Sequence, residues 1–211
     1  MRLPLLHVIS PQGSGHDQDF KEMAAALQAA CGPELAIHLR DPGASGERLY
    51  DLARHLVDGA RRHGGWCAVN ERTDVALAAG VQAVQLGRRA LPLAAVRRTV
   101  GERLALGVSV HSASEVREAA DAGANYVLLG TIFRSSSHPS AHPLGIAALS
   151  SCRDSGVPVV AIGGIDRETV AAVMGAGASG VAVLSAVWEA GDPVEAAREL
   201  VDRMRIVAQD R

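Results

Sequence analysis

The stretch PVVAIGGIDRETVAAVMGAGASGVAVLSAV (158–187) ends one apolar run on Gly163 and Gly164 and the next on Ser185. Glycines at the end of a buried strand let the backbone approach a ligand without interference from Cβ. The helix that follows begins near Asp166, with free N–H groups and the positive end of its dipole facing the same place. Ser185, Ala186 and Val187 can begin a second short helical turn beside it, and two such N–H nests suit a phosphate. Two features point the other way. The glycines also suit a tight strand-to-helix turn, and the Asp166 carboxylate competes for the same donors. Other polar residues stand at the ends of apolar runs: His38 with Arg40, Asn70 with Glu71, Gln85 with Gly87, Ser109 with His111, and Thr131. Arg40 suits bidentate contact with a phosphate or carboxylate. Asn70 can orient a ligand by hydrogen bonding. The segment TIFRSSSHPSAHPLG (131–145) carries Arg134, Ser135 and Ser137. It reads as a functional loop closing over a charged ligand, or equally as a solvated connection. His138 and His142 are interrupted by prolines, so the spacing predicts no metal site there.

The elements that hold these residues follow from hydrophobic pattern. Apolar runs at 5–10, 35–40, 66–70, 83–87, 104–110, 126–130, 158–164 and 180–185 lack polar alternation, as strands buried on both faces do. Helical periodicity lies between them at 17–30, 45–62, 112–123 and 166–177, and again at 192–208. Ser45 is placed as a cap, and Ser112 with Glu115 has capping-box spacing. Eight such units in 211 residues predict a single (β/α)8 TIM barrel over 1–211, with a doubly wound open sheet as the competing arrangement. In such a barrel the C-terminal ends of the strands carry function, and the last two strand loops recurrently bind phosphate.

Composition narrows the classes further. A formal net charge of −2 gives no basic field for nucleic acid, and no apolar run is long enough for a membrane span. The opening MRLPLLHVIS does not have the pattern of a signal peptide. Cys31, Cys67 and Cys152 are scattered and without CxxC spacing, which fits reduced thiols and a cytoplasmic location. A homo-oligomer is compatible with all of this.

Four segments together, VNERTDVALAAGVQAVQLG, LGVSVHSASEVREAADAGANYVLLGTIF, PLGIAAL and the 158–187 stretch, resemble the thiamine phosphate synthase and TenI family over nearly the whole chain. The resemblance implies a (β/α)8 barrel binding a phosphorylated thiazole, with Gly163, Gly164 and Ser185 at the phosphate. Two activities are implied. The synthase joins hydroxymethylpyrimidine diphosphate to thiazole phosphate and releases pyrophosphate. Its pattern has Gln-x-Arg-x-Lys after strand two and two magnesium carboxylates, in Asn-Asp after strand three and Gly-Gln-Glu-Asp after strand four. Here those places hold His38-Leu39-Arg40-Asp41-Pro42, Asn70-Glu71 and Gly87-Arg88-Arg89-Ala90. Loss of a carboxylate beside two added arginines disfavours magnesium, although the arginines could take a diphosphate directly.

The other activity, thiazole tautomerisation in the TenI manner, needs no cofactor, and the IHLR and LHVIS segments look similar to that branch. Its acid/base histidine after strand six is replaced by Thr131, a poor proton carrier near neutral pH. His38 and His111 are then the candidate carriers. His38 is favoured because alternation puts it on the same inward side as Arg40, while His111 could simply start a helix. The expectation is therefore a TenI-like tautomerase acting without cofactor, with the magnesium-using synthase second and a non-catalytic phosphate-ligand binder third.

Overall fold

A computed structural model describes residues 2–13, 17–135 and 140–209. Eight parallel strands close in sequence order: β1 Leu6–Ile9, β2 Leu35–Leu39, β3 Trp66–Asn70, β4 Ala83–Leu86, β5 Ala105–Val110, β6 Tyr126–Gly130, β7 Val159–Ile162 and β8 Gly180–Val183. The helices are α1 Asp17–Cys31, α2 Gly46–His63, α3 Thr73–Ala79, α4 Leu93–Val100, α5 Ala113–Asp121, α6 Ala147–Ser150, α7 Val170–Gly175, α8 Ser185–Trp188 and α9 Pro193–Gln209. This is the (β/α)8 barrel, and closure removes the edges that an open doubly wound sheet would leave.

Each strand is buried on two faces, which explains the missing polar alternation. Outward residues such as Ile37, Val69, Val84 and Leu129 pack beneath the helices. Inward residues form a second, smaller core in which Ala36, Ala68, Ala83, Ala105 and Ala182 leave room for Trp66 and Tyr126. Gly107 is part of that fit, because a Cβ there would strike the Tyr126 ring and the Gln85 amide.

The predicted caps are present. Ser45 accepts from Arg48 N at 3.2 Å and Ser112 from Glu115 N at 3.2 Å. Glu115 Oε2 in turn accepts from His111 N at 2.7 Å, one residue earlier than a standard capping box. Gly64, with φ 80°, ends α2 in the left-handed conformation. The units after β3, β4 and β6 have helices of eight residues or fewer, too short for periodicity to reveal. The three cysteines are buried and unpaired. Among the described residues no helix is long and apolar enough to cross a membrane.

Candidate active site

On the β7–β8 side, adjacent strands bring Gly163, Gly164 and Ser185 together at the barrel mouth. The glycines have φ of 104° and 64°, which L side chains rarely adopt. A Cβ on either would point toward the segment after β6 rather than into open space. Gly163 would strike the Thr131 hydroxyl, and Gly164 the Arg134 carbonyl and Phe133 Cβ, the latter at 2.9 Å. Phe133 N also donates to Gly163 O at 3.0 Å. The glycine pair thus serves close backbone packing. Asp166 caps the turn that precedes α7: Oδ1 accepts from Glu168 N at 3.1 Å, Thr169 N at 3.0 Å and Thr169 Oγ1 at 2.8 Å. Burial raises its pKa, but these hydrogen bonds outweigh that and hold the carboxyl below its usual range. The helix anticipated from near Asp166 begins instead at Val170, after this self-capped turn. The donors left on this side are main-chain N–H groups of the glycine turn and the first turn of α8, with the half-buried Ser185.

The β2–β4 side is built from side chains. Arg40, Asn70, Glu71, Arg72 and Arg89 line a cavity of about 250 Å³, with Asp41 at its edge. Arg72 is held by Asp74 through bonds of 2.9 and 2.6 Å. Asp41 is drawn to Arg48 at 3.3 Å, and Arg48 also grips Asp17. Among the described residues Arg40 and Arg89 make no ion pair, and the Asp41 and Glu71 carboxylates line the same cavity. Ser10 fixes the start of the β2 loop by accepting from Arg40 N at 2.9 Å. Glu71 is the one described non-glycine residue with positive φ, 64°, and its Oε1 lies 2.7 Å from where a Cβ on Gly87 would stand.

Below this rim is a buried polar floor. His38 has no exposed surface, and its Nε2 lies 2.8 Å from His7 Nδ1; His7 Nε2 is 3.1 Å from the Pro4 carbonyl. Burial lowers the His7 pKa to about 4. Burial, together with the neighbouring His7, pushes His38 well below its usual value. This corrects the expectation for His38. It does point inward, as Arg40 does, but it lies one inward layer deeper and is sealed from the cavity. A neutral, enclosed imidazole is a poor carrier of protons to a ligand. Gln85 Nε2 donates to Ser109 Oγ at 3.0 Å. Among the described residues Gln85 Oε1 and Tyr126 Oη have no partner.

On the β5–β6 side His111 is exposed, and its Nδ1 donates to the Gly130 carbonyl at 2.6 Å. A carbonyl only accepts, so that contact makes Nδ1 the donor. Thr131 Oγ1 is turned to the Phe133 carbonyl at 2.8 Å, which fits a structural hydroxyl better than a catalytic one. Arg134 is exposed and Ser135 half-buried; Ser137 and His138 lie outside the described residues. Among the described residues no group of three His, Cys, Asp or Glu could hold a metal.

Magnesium, which the synthase pattern implies, does not fit the residues at the ends of β3 and β4. Glu71 is the sole carboxylate there that is not tied to an arginine, Ala90 stands at the second ligand position, and Arg40 and Arg89 repel a cation. Two participants escaped the sequence reading. His7 shares the inward face of β1 with Ile9, so its alternation was a usable signal. The pairing of Arg72 with Asp74, which leaves Arg40 and Arg89 as the cavity arginines outside an ion pair among the described residues, had no local signature.

Fold and site together define a (β/α)8 barrel with main-chain donors at the β7–β8 side of its mouth and an arginine-lined cavity at the β2–β4 side. Residues 6–187 match a family model described as thiamine monophosphate synthase, and the chain belongs to that family. It is 39% identical over 197 residues to a thiamine-phosphate synthase of Chloroflexus aurantiacus, covering 92% of this chain and 90% of that one. With a thiamine-phosphate synthase of Methanoregula boonei it shares 41% identity over 206 residues, 97% and 94% of the two chains. Among solved structures, a thiamine phosphate pyrophosphorylase from Pyrococcus furiosus superimposes with a TM-score of 0.83 at 29% identity, over 98% of this chain and 97% of the other.

Proposed function

We propose that this chain is a transferase of thiamine biosynthesis that joins a hydroxymethylpyrimidine diphosphate to thiazole phosphate. The observation that carries the reading is the cavity lined by Arg40, Arg89 and Asn70, in which neither arginine makes an ion pair among the described residues. In an eight-strand barrel β3 lies opposite β7, so this cavity faces the main-chain donors at Gly163, Gly164 and Ser185 across the mouth. Two anion-binding ends suit a reaction with two phosphorylated substrates. The named relatives support the same choice.

In this reading the thiazole phosphate is anchored at the β7–β8 end. The pyrimidine diphosphate lies with its leaving group against Arg40 and Arg89. The thiazole nitrogen forms a bond to the pyrimidine methylene carbon as the bond from that carbon to the diphosphate oxygen breaks, and pyrophosphate departs with the electron pair. The guanidinium groups stabilise the negative charge that grows on the leaving oxygen. No step is assigned to a metal, since the donor set does not fit one.

Incubation with both substrates in the presence of a chelator tests the reading. Thiamine phosphate and pyrophosphate should form in equal amounts, and Arg89→Ala should slow the reaction about tenfold or more. No product with or without magnesium would sink it. Product only with magnesium would keep the transferase and discard the arginine role.

The tautomerase remains a second reading on one observation, the exposed His111 held at Gly130 beside Thr131. It would move a proton at the thiazole ring in place of the histidine that the family places at Thr131. Conversion of carboxythiazole phosphate that His111→Asn abolishes would favour it.

A further inference from the structure

Asp41 follows Arg40 in sequence and lines the same cavity, with only 10% of its side chain exposed. An unpaired carboxylate there would act in two ways. It would repel an anionic ligand, and it would offer Arg40 and Arg89 a counter-ion that the ligand must displace. Here Arg48 Nη1 donates to Asp41 Oδ2 at 3.3 Å. The other carboxylate oxygen accepts from Gly43 N at 3.2 Å, and Ala44 N donates to Asp41 O at 3.2 Å, so Asp41 is held in its own turn. Glu71, the second carboxylate of the cavity, is turned to Gly87, as the 2.7 Å approach of Oε1 shows. Arg48 is held in place from two sides. Ser45 Oγ accepts from its N–H at the start of α2. Its Nη2 and Nε donate to Asp17 Oδ1 at 2.8 and 3.0 Å, which leaves Nη1 for Asp41. Asp17 is the first residue of α1, where the helix dipole favours a carboxylate. Arg48 itself stands outside the described lining of the cavity. Arg40 is anchored separately, from the end of β1: its N donates to Ser10 Oγ at 2.9 Å, and its carbonyl accepts from that hydroxyl at 3.3 Å.

We infer that Arg48 is a positioning residue that acts through Asp41: by holding the Asp41 carboxylate, it keeps Arg40 and Arg89 available to an anionic ligand. The inference rests on the transferase reading for the identity of that ligand, a diphosphate. It gives Arg48 a part in recognition without contact with the ligand. A partly exposed ion pair adds little to stability, so the effect of this one belongs to binding rather than to folding.

Calorimetry with inorganic pyrophosphate compares the parent, Arg48→Gln and the double variant Arg48→Gln with Asp41→Asn. Arg48→Gln should weaken pyrophosphate binding about fivefold. Adding Asp41→Asn should restore the parent value, because asparagine keeps an acceptor for Gly43 N and loses the charge. Thiazole phosphate should bind to all of them alike. Unchanged pyrophosphate affinity in Arg48→Gln would overturn the inference. So would a loss that Asp41→Asn fails to restore, which would mean that Arg48 touches the ligand or merely stiffens the β2 loop. An equal loss for thiazole phosphate would mark a general disturbance and overturn it too. Side-chain Nε–Hε NMR of Arg40 and Arg89 reads the same point without ligand. At least one of the two resonances should shift in Arg48→Gln and return in the double variant, and no shift would contradict the role given to Asp41. If the parent protein fails to bind pyrophosphate at all, the transferase reading falls, while the arginine resonances still decide what Arg48 does.

Discussion

The β7–β8 side of the barrel mouth offers main-chain donors, whereas the β2–β4 side offers side chains, and the two have diverged from the family pattern to different degrees. Gly163, Gly164 and Ser185 keep the residues that the resemblance implies. Across the mouth, Pro42, Glu71 and Ala90 replace a lysine, an aspartate and a second carboxylate. A backbone nest depends on chain path, which Thr131, Phe133 and Arg134 enforce by packing on the glycines. A side-chain site can change its residues without moving the backbone: Arg40 keeps the arginine that the resemblance implies, while Glu71, Arg89 and Ala90 depart from it.

The largest effect should come from Gly164→Val. The positive φ and the contact with Arg134 O and Phe133 Cβ force the β6 loop away from β7. Stability should fall by about 3 kcal/mol and thiazole phosphate affinity by about thirtyfold in the folded fraction. Urea unfolding and calorimetry read the two. Unchanged values would mean that the backbone end is as adaptable as the side-chain end.

Acid should expose the floor under the β2–β4 side next. His7 titrates at about 4 when folded and near 6.5 when unfolded, so between those values the unfolded chain binds more protons. Stability is full above the unfolded value and falls with decreasing pH through that window, by about 3 kcal/mol at most. His38 shifts in the same direction. Asp74, lowered to about 2 by its hydrogen bonds to Arg72, contributes loss of the same sign only at more acidic pH. Urea midpoints from pH 7 to 4.5 test this, and a flat profile would contradict the buried neutral pair.

Arg40→Ala should weaken pyrophosphate binding by about tenfold, lessen its salt dependence and leave thiazole phosphate binding unaltered. Equal loss for both ligands would merge the two ends into one site. The smallest effect belongs to Asp166→Ala. Losing the self-cap costs about 1 kcal/mol of stability, yet frees donors at the β7 side, so thiazole phosphate affinity should rise slightly. A fall in affinity would show that Asp166 shapes the nest rather than competing with it.

The sequence by itself determined eight βα units whose strands are buried on both faces, and their number and length favoured a closed barrel over an open doubly wound sheet. It also determined which residues stand at strand ends, and the Ser45 and Ser112 caps, since these depend on spacing within a few residues. It left open what each strand-end residue does. Alternation told that His38 and Arg40 point inward but not how deep, and one inward layer separates an enclosed imidazole from a guanidinium facing the cavity. The direction of a side chain is local, with a period of two along the strand. Its depth is set by how eight strands stagger against one another, and so is the meeting of His7 with His38. Likewise, Asp166 capping its own turn, Asp74 neutralising Arg72 and the β6 loop resting on Gly163 are choices among competing partners. Only the assembled barrel, by fixing which partner lies within hydrogen-bond reach, decides them.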